Sequence, residues 1–293
     1  MSDAAQGAGQ GDAPAAEWDA ARWARDELVL DMDNWWAAVE TTVGQNAACL
    51  LYAARSASPA PADAPAVAEH DSAGEVSTDP AAEPPTRVLL AVGDPVGVTA
   101  LVDQRLGTLT GQLSAAWIAT DALPALRDRL TALGLRPNRT GWEWMVIRDQ
   151  PTPVPAESRV RPLTSADRDA AIACLAVANP TTEAAPLAAG ERWWGVAAAD
   201  GALLGVIGAE SRPGDREGAG SWHLHGLGVR PEARGQGLGG ALTAGAARAL
   251  LAAGADWVSL GMWDDNHGAR RIYHRLGFRT THRLITLRAD PPR

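Results

Sequence analysis

Hydrophobic and polar positions divide this chain into short alternating or apolar runs, separated by glycine and proline, and longer runs at helical spacing. In the second half, Arg159 to Leu163 reads as a short strand. Thr164 or Ser165, followed by Asp167, opens a helix by capping chemistry, and the helix ends near Ala178 before Asn179-Pro180. Trp193 to Ala198 and Leu203 to Glu210 form a hairpin around Asp200-Gly201, and the glycine-rich stretch from Pro213 to Gly220 leads into a strand at Trp222. An apolar strand, Leu224 to Val229, then enters a basic glycine-rich turn from which a long alanine-rich helix begins. A strand from Trp257 to Met262, a helix from Asn266 to Leu276 and a last strand from His282 to Leu287 complete the order.

The first half is less regular. A helical pattern covers Trp18 to about Val43, with Trp35, Trp36, Val39 and Val43 near one face, and Ala47 to Ala54 reads as a strand. Val88 to Val92 and Val96 to Leu101, joined at Gly93-Asp94-Pro95, read as a hairpin. Ala115 to Ala119, a helix from Asp121 to Leu133 and a strand from Trp142 to Ile147 repeat the plan of the last strand, helix and strand of the chain. Aligning Leu133-Gly134-Leu135 with Leu276-Gly277-Phe278 sets Leu130 opposite Tyr273, so the first copy lacks the phenol of the second. The span from Leu101 to Ala115 is too short for a strand, a phosphate loop and a full helix. The first half is therefore expected to be a shortened, non-catalytic relative of the second, with an unrelated α+β domain as the alternative.

Composition narrows the field. Residues 1–16 read as a tail with neither the basic start nor the apolar centre of a secretory signal, and 56–86, rich in proline, alanine and acids, as a mobile insertion. The expected domains are 17–148 and 159–293, joined by a proline-rich linker at 149–158. A formal charge of −9 argues against a nucleic-acid partner. No lysine occurs, which removes Schiff-base chemistry. The two cysteines are too few for a disulfide scaffold and point to a reduced, cytoplasmic setting. No run has the length and apolarity of a membrane span. The alanine, arginine and glycine bias suggests a G+C-rich bacterial source.

The chemistry is concentrated between Val229 and Gly240. A strand running into a glycine-rich turn and then into a helix presents unbonded amides at the positive end of the helix dipole, which suits phosphate. Gly235, Gly237, Gly239 and Gly240 allow close approach, Gln236 and Leu238 contribute their amides, and Arg234 adds a fixed cation. The segment also satisfies G-x-G-x-x-G, but too little chain follows for a dinucleotide-binding unit.

Val-x-Pro-x-x-Arg-Gly-x-Gly-x-Gly at 229–239, then Asp264-Asp265-Asn266, then Ala269-Arg270-Arg271-Ile272-Tyr273-x-x-Leu276-Gly277-Phe278 resemble the GNAT superfamily of acyl-CoA-dependent N-acyltransferases over the last third of the chain. The resemblance implies an α/β fold of the α+β type, a mixed and mostly antiparallel sheet flanked by helices, beside a smaller shortened N-terminal copy. It implies acetyl-CoA as donor, with Arg234 to Gly240 at its diphosphate and backbone groups of Leu227, Gly228 and Val229 at the pantetheine arm and thioester carbonyl. It further implies Asn266 as a cofactor contact and Tyr273 as the proton donor to the coenzyme A thiolate. No metal is called for.

Gly226 and Gly228 fit a locally irregular strand or tight packing against a neighbour. The general base is open: His223 stands four residues before Leu227, where many relatives carry a carboxylate, and His225 and Glu210 are further candidates. Neither cysteine falls in the motifs, which favours direct attack by a small-molecule primary amine in a ternary complex. Asn179 to Gly190, Trp193, Trp194 and Trp263 are candidates for shaping the acceptor pocket. A non-catalytic acyl-CoA-binding module, a dinucleotide-binding protein and a peptide N-acetyltransferase are the alternatives; the chain is expected to be a monomer or homodimer.

Overall fold

A computed structural model describes residues 25–44, 46–54, 87–109, 113–138, 140–182, 184–214 and 220–289. The expected tail at 1–16 and the insertion at 56–86 lie outside these residues. Helix α1 (Glu27–Trp35) is followed by the strands β1 (Trp36–Gly44), β2 (Ala47–Ala54) and β3 (Arg87–Gly93), then α2 (Pro95–Leu106), β4 (Ala115–Ala119), α3 (Leu123–Ala132), β5 (Leu135–Pro137) and β6 (Trp142–Ile147). The second half runs β7 (Arg161–Pro162), α4 (Arg168–Ala178), β8 (Glu191–Ala197), β9 (Leu203–Pro213), β10 (Gly220–Val229), α5 (Leu238–Ala252), β11 (Val258–Trp263), α6 (His267–Leu276) and β12 (Arg279–Ala289).

All strands join one twelve-stranded sheet in the order β1-β2-β3-β4-β12-β6-β11-β10-β9-β8-β7, with β5 paired to β12. Among the described residues only β3–β4 and β10–β11 are parallel pairs, so the sheet is mixed and mostly antiparallel. The halves exchange their last strands: β6 lies against β11 of the second half, and β12 against β4 of the first. The sheet thus runs without a break across the expected domain boundary. The proline-rich segment there is fastened to α5, where Arg248 binds Glu157 and donates to the Pro151 carbonyl at 2.8 Å.

Helices α2, α3, α5 and α6 cover one face over two apolar clusters, while α1 and α4 cover the other. The cluster beneath α1 is rich in tryptophan: Trp117, Trp142, Trp144 and Trp257 are all nearly inaccessible to solvent. Burial of such large rings supplies hydrophobic stabilisation in proportion to their area.

Two expectations in the first half are corrected. The helix expected to reach Val43 ends at Trp35, and the β-branched run Thr41, Thr42, Val43 pairs with β2 as a strand, with Val39 at a break in the register. Cross-strand pairing outweighs the helical spacing there. Val96 to Leu101 is helix, because Asp94 accepts from the amides of Val96 and Gly97 while Pro95 begins the first turn. The chain is also long enough between β3 and β4 for a full helix, because β3 enters α2 with no glycine loop between.

Candidate active site

Strands β10 and β11 are paired only at Trp222–Val258, His223–Ser259 and Leu224–Leu260. Beyond Leu224 they part, since β11 continues beside β6 to Trp263 while β10 bends away. The bend is a β-bulge: the register with β9 slips between His225 and Gly228, and Gly226 adopts φ +58°. A Cβ at Gly226 would lie 2.8 Å from Cη2 of Trp193, and one at Gly228 would lie 2.9 Å from Cβ of Ala178. Both readings of these glycines therefore hold together: the strand is irregular, and it packs tightly against α4 and its neighbours.

The split opens a cleft of about 290 Å³, lined from β10 by Leu224 to Leu227, from β11 by Leu260 to Trp263, and by Asn266, Ala269 and Tyr273. Tyr273 sits on α6, largely buried, with its ring 6.0 Å from that of Phe278. The other tyrosine, Tyr52, is fully buried in the tryptophan-rich cluster and does not line the cleft. Asn266 is both the α6 cap, accepting from the Ala269 amide at 3.1 Å, and a cleft residue. Asn179 reaches across from the end of α4 and donates to the Leu227 carbonyl at 3.4 Å.

Past Val229 the chain makes a short 3-10 turn, Pro231–Ala233, and reaches α5 through Gly235 (φ +77°) and Gly237 (φ +75°). Left-handed backbone at these two positions calls for glycine. Gly235, Gln236 and Gly237 are exposed, Gly239 is half-buried and Gly240 is buried. No side chain caps the start of α5, whereas Asp94 caps α2 and Asn266 caps α6. This open helix end fits an anionic group. Arg234 lies beside it, but its Nε donates to the Val229 carbonyl and its Nη2 to the Ala178 carbonyl, each at 3.1 Å. The guanidinium therefore fastens the turn to α4 while leaving its charge at the loop.

The three candidate bases separate. His223 is buried away from the cleft, stacked on Trp144 with ring centroids 4.6 Å apart, its Nδ1 3.0 Å from Oγ of Ser259. Burial, then the charges of Arg212 and His225, holds its pKa well below the usual histidine range, so the ring is neutral. Glu210 is on β9 opposite His223 and is paired with buried Arg212, Nη2 to Oε2 at 2.6 Å. It does not line the cleft. His225 does. His223 and His225 keep the alternation of the strand and share the face covered by α1 and α4, while the bulge after His225 turns Leu227 to the face covered by α5.

Nε2 of His225 lies 3.7 Å from Oε1 of Glu191, whose Oε2 accepts from Nε1 of Trp193 at 2.6 Å. Glu191 carries no motif in the sequence and only the β8–β9–β10 pairing brings it here. Trp142 of β6 also lines the cleft, and no local signal foretells it. Of the tryptophans proposed for the acceptor pocket, Trp263 lines the cleft, whereas Trp193 packs behind His225 and Trp194 lies in the apolar cluster beneath α5.

The cleft thus holds a phenol between the strands of a split parallel pair, and α5, whose start is uncapped, reaches it at Thr243. Residues 164–278 match the acetyltransferase (GNAT) family, and this part of the chain is a GNAT acetyltransferase domain. A search of curated proteins finds no match. Among solved structures, the chain is similar to a GCN5-related N-acetyltransferase from Kribbella flavida, at 18% identity over 96% of each chain and a TM-score of 0.48. It is also similar to one from Sphaerobacter thermophilus, at 19% identity over 89% of this chain and 84% of that one, with a TM-score of 0.47. A tandem GNAT protein from the clavulanic acid biosynthesis pathway matches at 14% identity over 85% of each chain, with a TM-score of 0.43. No helix among the described residues is long and apolar enough to cross a membrane.

Proposed function

We propose that the chain transfers an acetyl group from acetyl-CoA to a primary amine of a small molecule, by direct attack in a ternary complex at the β10–β11 split. The observation that carries this reading is that Tyr273 and Thr243 of α5, the helix whose uncapped start follows the glycine turn, line one cleft between diverging strands. Acetyl-CoA supplies the activated thioester. The amides from Gly235 to Gly240, with the helix dipole and the Arg234 charge, receive its diphosphate. The bulged backbone from Leu227 to Val229 lies along the arm and directs N–H groups at the carbonyl.

Tyr273 donates the proton that the departing thiolate needs. His225, with Glu191 beside its Nε2, is the group in the cleft suited to take a proton from the incoming ammonium, directly or through water. His223 and Glu210 have supporting roles behind it, in the strand packing. Asn266 holds the loop entering α6. The acceptor enters beside Trp142 and Trp263, which line the cleft with aromatic surface suited to an organic amine.

The test is thiol release and product mass shift with a panel of amines. An acetylated small amine is expected; thiol release with no amine acetylated, or none at all, rejects the reading in favour of a binding module. Tyr273→Phe is expected to lower kcat by about a hundredfold with coenzyme A affinity within about twofold. Unchanged turnover removes the proton-donor role.

A further inference from the structure

The site assigned above to the second half is built partly from the first. Strand β6 belongs to the N-terminal half yet lies directly against β11, with Trp142 opposite Trp263 and Glu143 opposite Met262. Trp142 forms a wall of the cleft, and its Nε1 is fixed by donating to Oγ1 of Thr286 at 3.1 Å. The Gly141 carbonyl accepts from the Asp264 amide at 2.9 Å, which ties the loop before α6 to the start of β6.

Glu143 is the most informative of these contacts. It is 2% exposed on the sheet face beneath α6, a costly place for a carboxylate unless it is fully paired. Its Oε1 lies 2.7 Å from Nη2 of Arg270 and its Oε2 accepts from Oγ1 of Thr280 at 2.7 Å, with Arg283 further out at 3.4 Å. Burial alone would raise its pKa, but Thr280, Arg270 and Arg283 outweigh it and hold the carboxyl ionised. Arg270 also donates to the Asp264 carbonyl at 2.6 Å.

Arg270 and Tyr273 are three residues apart on α6 and so share a side of the helix. An anchor on the first fixes the rotation and depth of the helix that carries the second. Ala269, beside Arg270, lines the cleft as well.

We propose that Glu143, from the half of the chain that lacks the phenol, is a positioning residue for Tyr273, acting through Arg270. The N-terminal half is then part of the acetyltransferase site and not an appended module. This rests on the proton-donor role given to Tyr273.

The experiment uses the full chain with Glu143→Gln, which keeps the shape and the Thr280 contact, and with Arg270→Gln, a partly exposed site. Each is combined with Tyr273→Phe. Expected is about a tenfold fall in kcat for either single variant, with KM for acetyl-CoA within about twofold, and no further fall when Tyr273→Phe is already present.

The chain has two tyrosines, so fluorotyrosine labelling gives two resonances, assigned with Tyr52→Phe and Tyr273→Phe. Glu143→Gln is expected to move the Tyr273 resonance and leave that of Tyr52 in place. An equal loss of kcat in both backgrounds, or a Tyr273 resonance unmoved by both variants, overturns the proposal. The spectrum decides even if no amine is acetylated, so failure of the anchor and failure of the enzymatic reading are told apart.

Discussion

The two halves solve one topological problem with opposite chemistry at the same corner. In each, a strand pairs in parallel with the next through a helix: β3, α2, β4 in the first and β10, α5, β11 in the second. In the second, a glycine loop separates strand from helix and the first amides of α5 stay uncapped. In the first, β3 enters α2 directly and the Asp94 carboxylate takes the Val96 and Gly97 amides at 3.1 and 2.9 Å. One helix end is left without a side-chain cap, and the other is filled by an anion of the chain's own.

The clefts follow suit. That of the first half, about 730 Å³, is lined by Asp26, Asp94 and Asp121, among others. Asp26, His282 and Glu27 have ligand atoms within 4.8 Å of one another, the spacing of a metal cluster. Yet Asp26 caps α1 and pairs with His282 at 3.0 Å, while Glu27 pairs with Arg148 at 2.7 Å. Each carboxylate therefore already has a partner within the chain. Leu130, aligned with Tyr273, is fully buried. The lesson is that two βαβ units of like topology differ at the helix start according to whether a cap or a loop precedes it.

The sharpest way to break this contrast is to give the second half the feature of the first. Gly237→Asp sets a carboxylate at the cradle and strains a left-handed position. Coenzyme A affinity by calorimetry is expected to fall by about a hundredfold, roughly 3 kcal/mol. Binding within a factor of three would show that the amides at α5 are not the diphosphate site.

A second test probes the seam. His223, on β10, stacks on Trp144 of β6 and stays neutral in the folded chain. Its folded pKa is depressed, so the unfolded chain binds the extra proton first. This contribution is fully present above about pH 6.5 and is lost as pH falls below it, by up to about 1.4 kcal/mol per unit, down toward the lowered folded pKa. Urea midpoints from pH 7.5 to 5 should fall more steeply for the parent chain than for His223→Gln. Parallel slopes would mean that the buried ring is not what links the seam to pH.

The smallest effect is expected from Asp94→Ala, which removes the α2 cap. Stability should drop by about 1 kcal/mol, read from the unfolding midpoint, while coenzyme A still binds at one site per chain. A second equivalent of coenzyme A would show that the cap alone had closed the first cleft.

Local signals carried the catalytic half. Capping at Thr164, the glycine turn after Val229, the Asn266 cap and the period of α6 are written in neighbouring residues, and each element formed close to its expected bounds. Asp94-Pro95 was equally legible as a helix start, but the same residues also suit a turn, and the helix won because its first amides needed the carboxylate. Neighbouring residues therefore determined where an uncapped helix start and a phenol stand in the chain.

Tertiary structure decided what stands around them. Strand exchange set Trp142 and Glu143 beside β11, a bulge of one residue after His225 turned Leu227 to the face covered by α5, and the β8–β9–β10 register brought up Glu191. None of this is local, because pairing partners far apart in the chain are chosen by the burial of a whole sheet face and not by any short pattern.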